Sequence, residues 1–330
     1  MKRCLSALLC LVLLGALAGS ALAEAEPLEP VTVENYDRTL TFDTVPERIV
    51  SLSYSETEIL AALGLTDKIV GIGEAENVVE ECLPEYQDEI AALNIIGASE
   101  DGGVPSFEVL LSVEPDFVYA TSYSLNPTYG VASLEDFESN GIDVYVATST
   151  YKSGCTIEDT YQDIRNIAAI FRVEERGEEI VAEMQAKVDA VAEVVSQVEE
   201  PVTVLNITYC DETQAYSSGG TSLANALIEA AGGVNVLASE ERSSLSMSWE
   251  SVIETNPDYI VVADNSGGVG SSSAEEKIEF LKSMPELQDL DAVKNDRFIP
   301  ISHFTMSFGC VQNADAVQLL AEGLYPELFS

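Results

Sequence analysis

The side chains with chemistry to offer in this 330-residue chain are few, and most are tyrosines. Tyr54, Tyr123, Tyr151, Tyr209 and Tyr216 each follow a short apolar run, where a strand would end and a loop begin. A tyrosine offers a flat apolar face and a polar tip, a combination suited to a large ligand with a polar rim. His303 is the only histidine, and Met306 stands three residues on. Either side chain could touch a metal complex or ligate a haem iron. Among the basic residues, Arg242 alone reads as belonging to such a loop. A single histidine cannot build the multi-histidine site that a bare zinc or manganese ion needs.

Hydrolytic chemistry is not encoded. Ser-His-Asp catalysis would have to use His303, and neither a GxSxG elbow nor a phosphate-binding GxxxxGK[ST] loop occurs. We therefore expect a binding protein and no enzyme, with no resident cofactor. The 57 acidic residues against 15 basic give a net charge of −42. Such a field repels nucleic acid and anionic lipid surfaces. It also favours a neutral or cationic ligand over an anionic one.

Residues 1–23 read as a secretory signal, with a Lys2-Arg3 start, an apolar run from Leu5 to Leu17 and the small-residue site Ala21-Leu22-Ala23. Leu17-Ala18-Gly19 is followed by Ser20 and not by a cysteine, so no lipid is expected. Processing would leave 13 basic residues against 57 acidic, a net −44. Cys82, Cys155, Cys210 and Cys310 would remain; an exported chain permits disulfides, but their pairing stays open.

An internal repeat organises the rest. Ser106-Phe107-Glu108 precedes Pro115-Asp116-Phe117-Val118 by six residues, and Ser248-Trp249-Glu250 precedes Pro257-Asp258-Tyr259-Ile260 by the same six. Each copy reads as a serine cap, a short helix, a Pro-Asp turn and a buried strand. Further apolar runs read as parallel strands: 49–52, 69–72, 144–146, 202–207 and 298–301. Helical stretches alternate with them and end near Gly64 and Gly232. Between the copies, Ile180, Met184, Val188, Val191, Val195 and Val198 form one apolar stripe. A helix over 174–198 would be about 37 Å long. The predicted fold is α/β: lobes 24–173 and 201–330, each with a mostly parallel sheet flanked by helices, joined by one long helix within 174–200.

These stretches, together with Pro46 to Leu52, Glu56 to Gly64, Ala230 to Gly233 and Ala292 to Arg297, resemble the helical-backbone class of periplasmic binding proteins. Members serve ABC importers of iron-siderophore complexes, cobalamin and haem. The resemblance implies a ferric chelate or a corrinoid as ligand, held between the lobes against loops at strand C-termini. It also implies an ABC permease dimer as partner, met by one acid on each lobe. By motif position those acids are Glu108 and Glu250. An arginine fork holds a carboxylate bidentately, which suits such a contact. The chain is expected to act as a monomer. A ligand sensor or surface-binding protein is the alternative of a different class.

Overall fold

The structure, a computed structural model, describes residues 29–73, 76–97, 104–266 and 272–329. The expected signal segment lies outside the described residues. A hairpin opens the described chain, β1 (Val31–Asn35) and β2 (Arg38–Phe42), paired in register around Val33 and Leu40. Its turn residues Tyr36 and Asp37 take φ of 54° and 56°, the two-residue geometry that matches strand twist.

The first lobe follows as β3 (Ile49–Ser51), α1 (Tyr54–Ala62), β4 (Ile69–Ile72), α2 (Pro84–Ala91), α3 (Phe107–Ser112), β5 (Phe117–Ala120), α4 (Leu134–Ser139), β6 (Asp143–Val146) and α5 (Ile157–Ile170). Its four strands pair in parallel in the order β4-β3-β5-β6. β5 is buried along its whole length, which is why it reads as an unbroken apolar run.

α6 (Glu174–Val195) crosses to the second lobe. It ends three residues before the expected Val198. Gly177, Ile180, Val181, Met184 and Val191 are its buried residues, packed against α5 and the C-terminal helix. Val188, Val195 and Val198 are only partly buried.

The second lobe comprises β7 (Thr203–Cys210), β8 (Gln214–Ser218), α7 (Leu223–Ala230), β9 (Val234–Asn235), β10 (Ser244–Ser248), α8 (Trp249–Thr255), β11 (Tyr259–Asp264), α9 (Ala274–Ser283), α10 (Asp291–Lys294), β12 (Phe298–Ser302), α11 (His303–Ser307) and α12 (Asn313–Leu324). Strand order is β10-β8-β7-β11-β12, with β9 beside β7. The β7, β9, β11 and β12 pairings are parallel, whereas β8 and β10 add an antiparallel edge that the sequence reading did not foresee.

The repeated segments fold alike. Ser106 and Ser248 each accept a backbone N–H at 3.3 Å, from Val109 and Ser251, capping α3 and α8. The aspartate of each Pro-Asp turn pins a neighbouring strand. Asp116 accepts the N–H groups of Glu47 and Arg48 at 2.9 and 2.8 Å, just before β3. Asp258 accepts the Thr203 N–H and hydroxyl at 2.8 Å, at the start of β7. Gly64 and Gly232 terminate α1 and α7 with φ of +74° and +82°, the left-handed region a C′ glycine occupies.

One apolar cluster runs through both lobes. It includes Phe117 and Tyr145, continues through Ile164, Ile167, Val181 and Met184, and reaches Leu227, Val261, Val317 and Leu320. Separate clusters lie on the outer faces of the two sheets, around Trp249 and Leu281 in the second lobe and around Phe137 and Val144 in the first.

Candidate functional site

Between the lobes lies a cleft of about 390 Å³. The first lobe contributes Tyr123, which follows β5, and the segment 149–153, which follows β6. The second contributes Thr208 of β7, Ser218 of β8, the start of α7, the turn around Arg242, and His303 and Ser307 of α11. The cleft thus lies where parallel strands end, the position open α/β sheets offer to ligands.

A second compartment of about 540 Å³ opens against the β7-β8-β10 edge, lined by Tyr209, Tyr216, Leu245, Ser246 and Asn265. Thr208, Ser244 and His303 line both compartments, which are therefore contiguous. The Tyr209 and Tyr216 rings stand 5.4 Å apart at 54°, and Gln214 Nε2 donates to the Tyr216 hydroxyl at 2.7 Å.

The segment that carries Ser149 and Thr150 is fixed by a buried carboxylate. Asp163 on α5 accepts from the Tyr145 hydroxyl at 2.7 Å, the Thr148 N–H at 2.8 Å and the Thr148 hydroxyl at 2.6 Å. Burial raises its pKa to about 6, against the pull of those Thr148 and Tyr145 hydrogen bonds. Tyr151 is held by stacking edge-on to Tyr36 at 4.9 Å and by accepting the Tyr36 N–H at 3.1 Å.

His303 is half-buried, its Nδ1 3.2 Å from the Ser307 hydroxyl, with Phe304 and Phe308 around it. Burial, and then the charge of Lys277, push its imidazolium down to about 4, so the ring is neutral in ordinary media. Its side chain then offers a lone pair or an N–H to a ligand, but no charge.

Among the described residues, the cleft lining carries two cations and one acid, Arg242, Lys152 and Glu241. Arg242 is exposed and makes no ion pair among the described residues. Lys152 also lines the cleft, held 2.5 Å from Asp159. The sequence reading missed Lys152, because nothing in a Tyr-Lys-Ser-Gly run marks a cation as facing inward. It also missed the hydroxyls of Ser149, Ser153, Ser222 and Ser244.

Two expected cleft residues stand elsewhere. Tyr54 and Met306 are buried in apolar clusters and line neither compartment. α1 begins at Tyr54 itself, and that ring packs against Phe304 at 5.3 Å. Residues 303–307 form a short helix whose inner face carries Met306 into the core. Tyr123, Tyr151, Tyr209, Tyr216, Arg242 and His303 do line the cleft. Glu108 and Glu250 are exposed in the first turns of α3 and α8 and line neither compartment. The backbone N–H of Glu250 and the Ser248 hydroxyl hold the Glu250 carboxyl below its usual range.

Among the described residues, no three His, Cys, Asp or Glu side chains stand together as a metal site, the four cysteines are unpaired, and no helix is long and apolar enough to cross a membrane.

Two α/β lobes joined by one long helix, with a lined cleft between strand ends, define a ligand-capturing protein of the two-lobed type. The chain belongs to the periplasmic binding protein family, whose profile it matches over residues 49–303. It is 24% identical over 304 residues to an uncharacterized ABC transporter substrate-binding lipoprotein, YvrC, of Bacillus subtilis, covering 91% of this chain and 87% of that one. It is 24% identical to the molybdate-binding protein MolA of Haemophilus influenzae, covering 98% and 92%. A periplasmic binding protein from Veillonella parvula has the same fold, with a TM-score of 0.78, 25% identity and coverage of 90% and 98%.

Proposed function

We propose that this chain is the extracytoplasmic binding component of an ABC importer, and that it carries a metal chelate, a ferric siderophore in the first place, in the cleft between its lobes. The observation that carries the reading is the pair of contiguous compartments of about 390 and 540 Å³, lined by tyrosines and hydroxyls. Space on this scale suits a drug-sized ligand. A tetrahedral oxyanion such as MolA's molybdate would leave most of it empty. Cobalamin and haem are the other chelates that match the lining. The chain-wide charge of −42 favours a complex that is neutral or cationic overall. Arg242 and Lys152 favour one with an electronegative edge.

Exposed Glu108 and Glu250, one on each lobe, are the acids that would meet the permease. The protein would be exported without a lipid, since Ser20 offers no thiol at the position that follows Leu17-Ala18-Gly19. The reading is tested by a thermal-shift screen of the purified chain against ferric siderophores, cobalamin, haem and molybdate. A ligand that binds only the folded form raises its melting temperature. A shift with one chelate supports the reading, and a shift with molybdate alone overturns it.

A further inference from the structure

Lys277 on α9 is 3% exposed, in a chain with nearly four acids for every base. Its ammonium donates to the Thr208 carbonyl at 3.0 Å, to the Ala263 carbonyl at 2.5 Å and to the Asn265 side-chain oxygen. Three donors meet three acceptors, so every proton is used. Among the described residues no carboxylate stands within ion-pair distance of it. The charges of Asp264 and Glu276 act on it from beyond that distance, while their hydrogen bonds are spent elsewhere: Asp264 accepts the N–H groups of Ser266 and Ala274, and Glu276 closes the capping box of α9. A buried cation without a counter-ion is costly relative to a paired or solvated one.

The place of the charge matters. Thr208 and Asn265 both line the second compartment, so the ammonium stands one hydrogen bond behind its wall. Among the described residues, no lysine or arginine side chain lines that compartment. The field of Lys277 also reaches His303, which lines both compartments.

We propose that Lys277 is a specificity-determining residue, whose buried charge makes the second compartment select the electronegative edge of a chelate. It does so without contact, by holding the ends of β7 and β11 in place and lending the wall a positive potential. In the low effective dielectric behind the wall a unit charge is screened far less than at the surface. This inference rests on the cleft being the ligand site.

The test uses the full chain with Lys277→Met, which removes charge and donors, and Lys277→Gln, which keeps donors and removes charge. Affinities are measured for two probes of similar size, a neutral ferric trihydroxamate and a trianionic ferric tricatecholate. Both substitutions should lower the ratio of tricatecholate to trihydroxamate affinity by about tenfold or more. A ratio unchanged in both variants, or one that Lys277→Gln keeps at the wild-type value, overturns the proposal. An independent readout needs no ligand. His303 is the only histidine, so its ring protons give one assignable NMR titration. Its midpoint should rise in both variants, and a midpoint that stays put removes the field. If neither probe binds the wild-type chain, the proposed ligand class fails, and the His303 titration still decides whether Lys277 charges the cleft wall.

Discussion

Gln312, at the start of α12, reaches across the lobes and donates from Nε2 to both carboxylate oxygens of Glu58 on α1, at 2.9 and 3.1 Å. The same nitrogen is 2.9 Å from the Glu81 carbonyl and 3.2 Å from the Tyr54 hydroxyl. Beside it, the Ser302 hydroxyl meets the Glu81 carboxylate at 2.5 Å. Thr160 with Asn313, Ser149 with Gly309 and Gly154 with Thr221 add further links between the lobes. The lobes are therefore joined by a polar seam as well as by α6.

Replacing Gln312 with leucine removes the side-chain donor to the buried Glu58 carboxyl, leaving, among the described residues, the Leu83 N–H at 2.7 Å. The expected loss of stability is about 1–3 kcal/mol, the cost of an unsatisfied buried group. Urea titration followed by circular dichroism measures it, and Lys68→Gln on the surface serves as a neutral control.

Stability should rise on acidification from pH 8 to pH 5. Burial lifts Glu58 to about 7 and Asp163 to about 6, so both bind protons more tightly folded than unfolded. Their stabilising contribution is full below the ordinary carboxylate range and is lost as pH rises through 6 and then 7. His303, pushed down to about 4, works the other way below pH 6.5. Two carboxyls outweigh one imidazole, so the net slope stays negative. Glu58→Gln should flatten it, removing a pH-dependent contribution on the order of a few kcal/mol. Melting temperatures across that range decide the sign.

Ligand capture should change the shape of the molecule little. α6 packs against α5 and α12 along its buried face, and the polar seam restrains the lobes further. A single packed helix offers no flexible strand pair as a hinge, which limits the amplitude of closure. Small-angle scattering should give nearly superimposable curves with and without chelate. A compaction of several ångströms in radius of gyration would contradict this.

Much of this was legible in the sequence, and the exceptions share a cause. The repeat located α3, α8, β5 and β11, because a capping serine, a Pro-Asp turn and an apolar strand are local signals. The longer parallel strands were legible because each is an apolar run, whereas the two-residue β9 (Val234–Asn235) was not. The β8 and β10 edge was not, since Gln214–Ser218 and Ser244–Ser248 are largely polar strands that carry no apolar run, and β10 pairs with β8 from 26 residues further along the chain. Tyr54, Met306 and Lys152 were misplaced or missed for a related reason. Which way a side chain points depends on local backbone geometry that residue type does not reveal: Tyr54 opens α1 and is buried.

Glu108→Ala and Glu250→Ala should leave chelate affinity nearly intact, as neither residue lines the cleft. Uptake should fall in each, since a charge-assisted hydrogen bond to arginine contributes ~1.5–3 kcal/mol. The double substitution should fall further, and Glu-to-Arg changes further still through like-charge repulsion. Paired binding and uptake assays separate the effects. Undiminished uptake by the double variant would remove the docking role.

The most direct measurement is a calorimetric titration of the wild-type chain and of Ser244→Trp with the chelate that the screen selects. Ser244 is exposed at the start of β10 and lines both compartments, so an indole there fills the cleft without entering a core. The account predicts one chelate bound per wild-type chain, and at least about tenfold weaker binding by Ser244→Trp at an unchanged melting temperature. Equal affinity in the two proteins, or saturable binding of no metal chelate by the wild type, would contradict it.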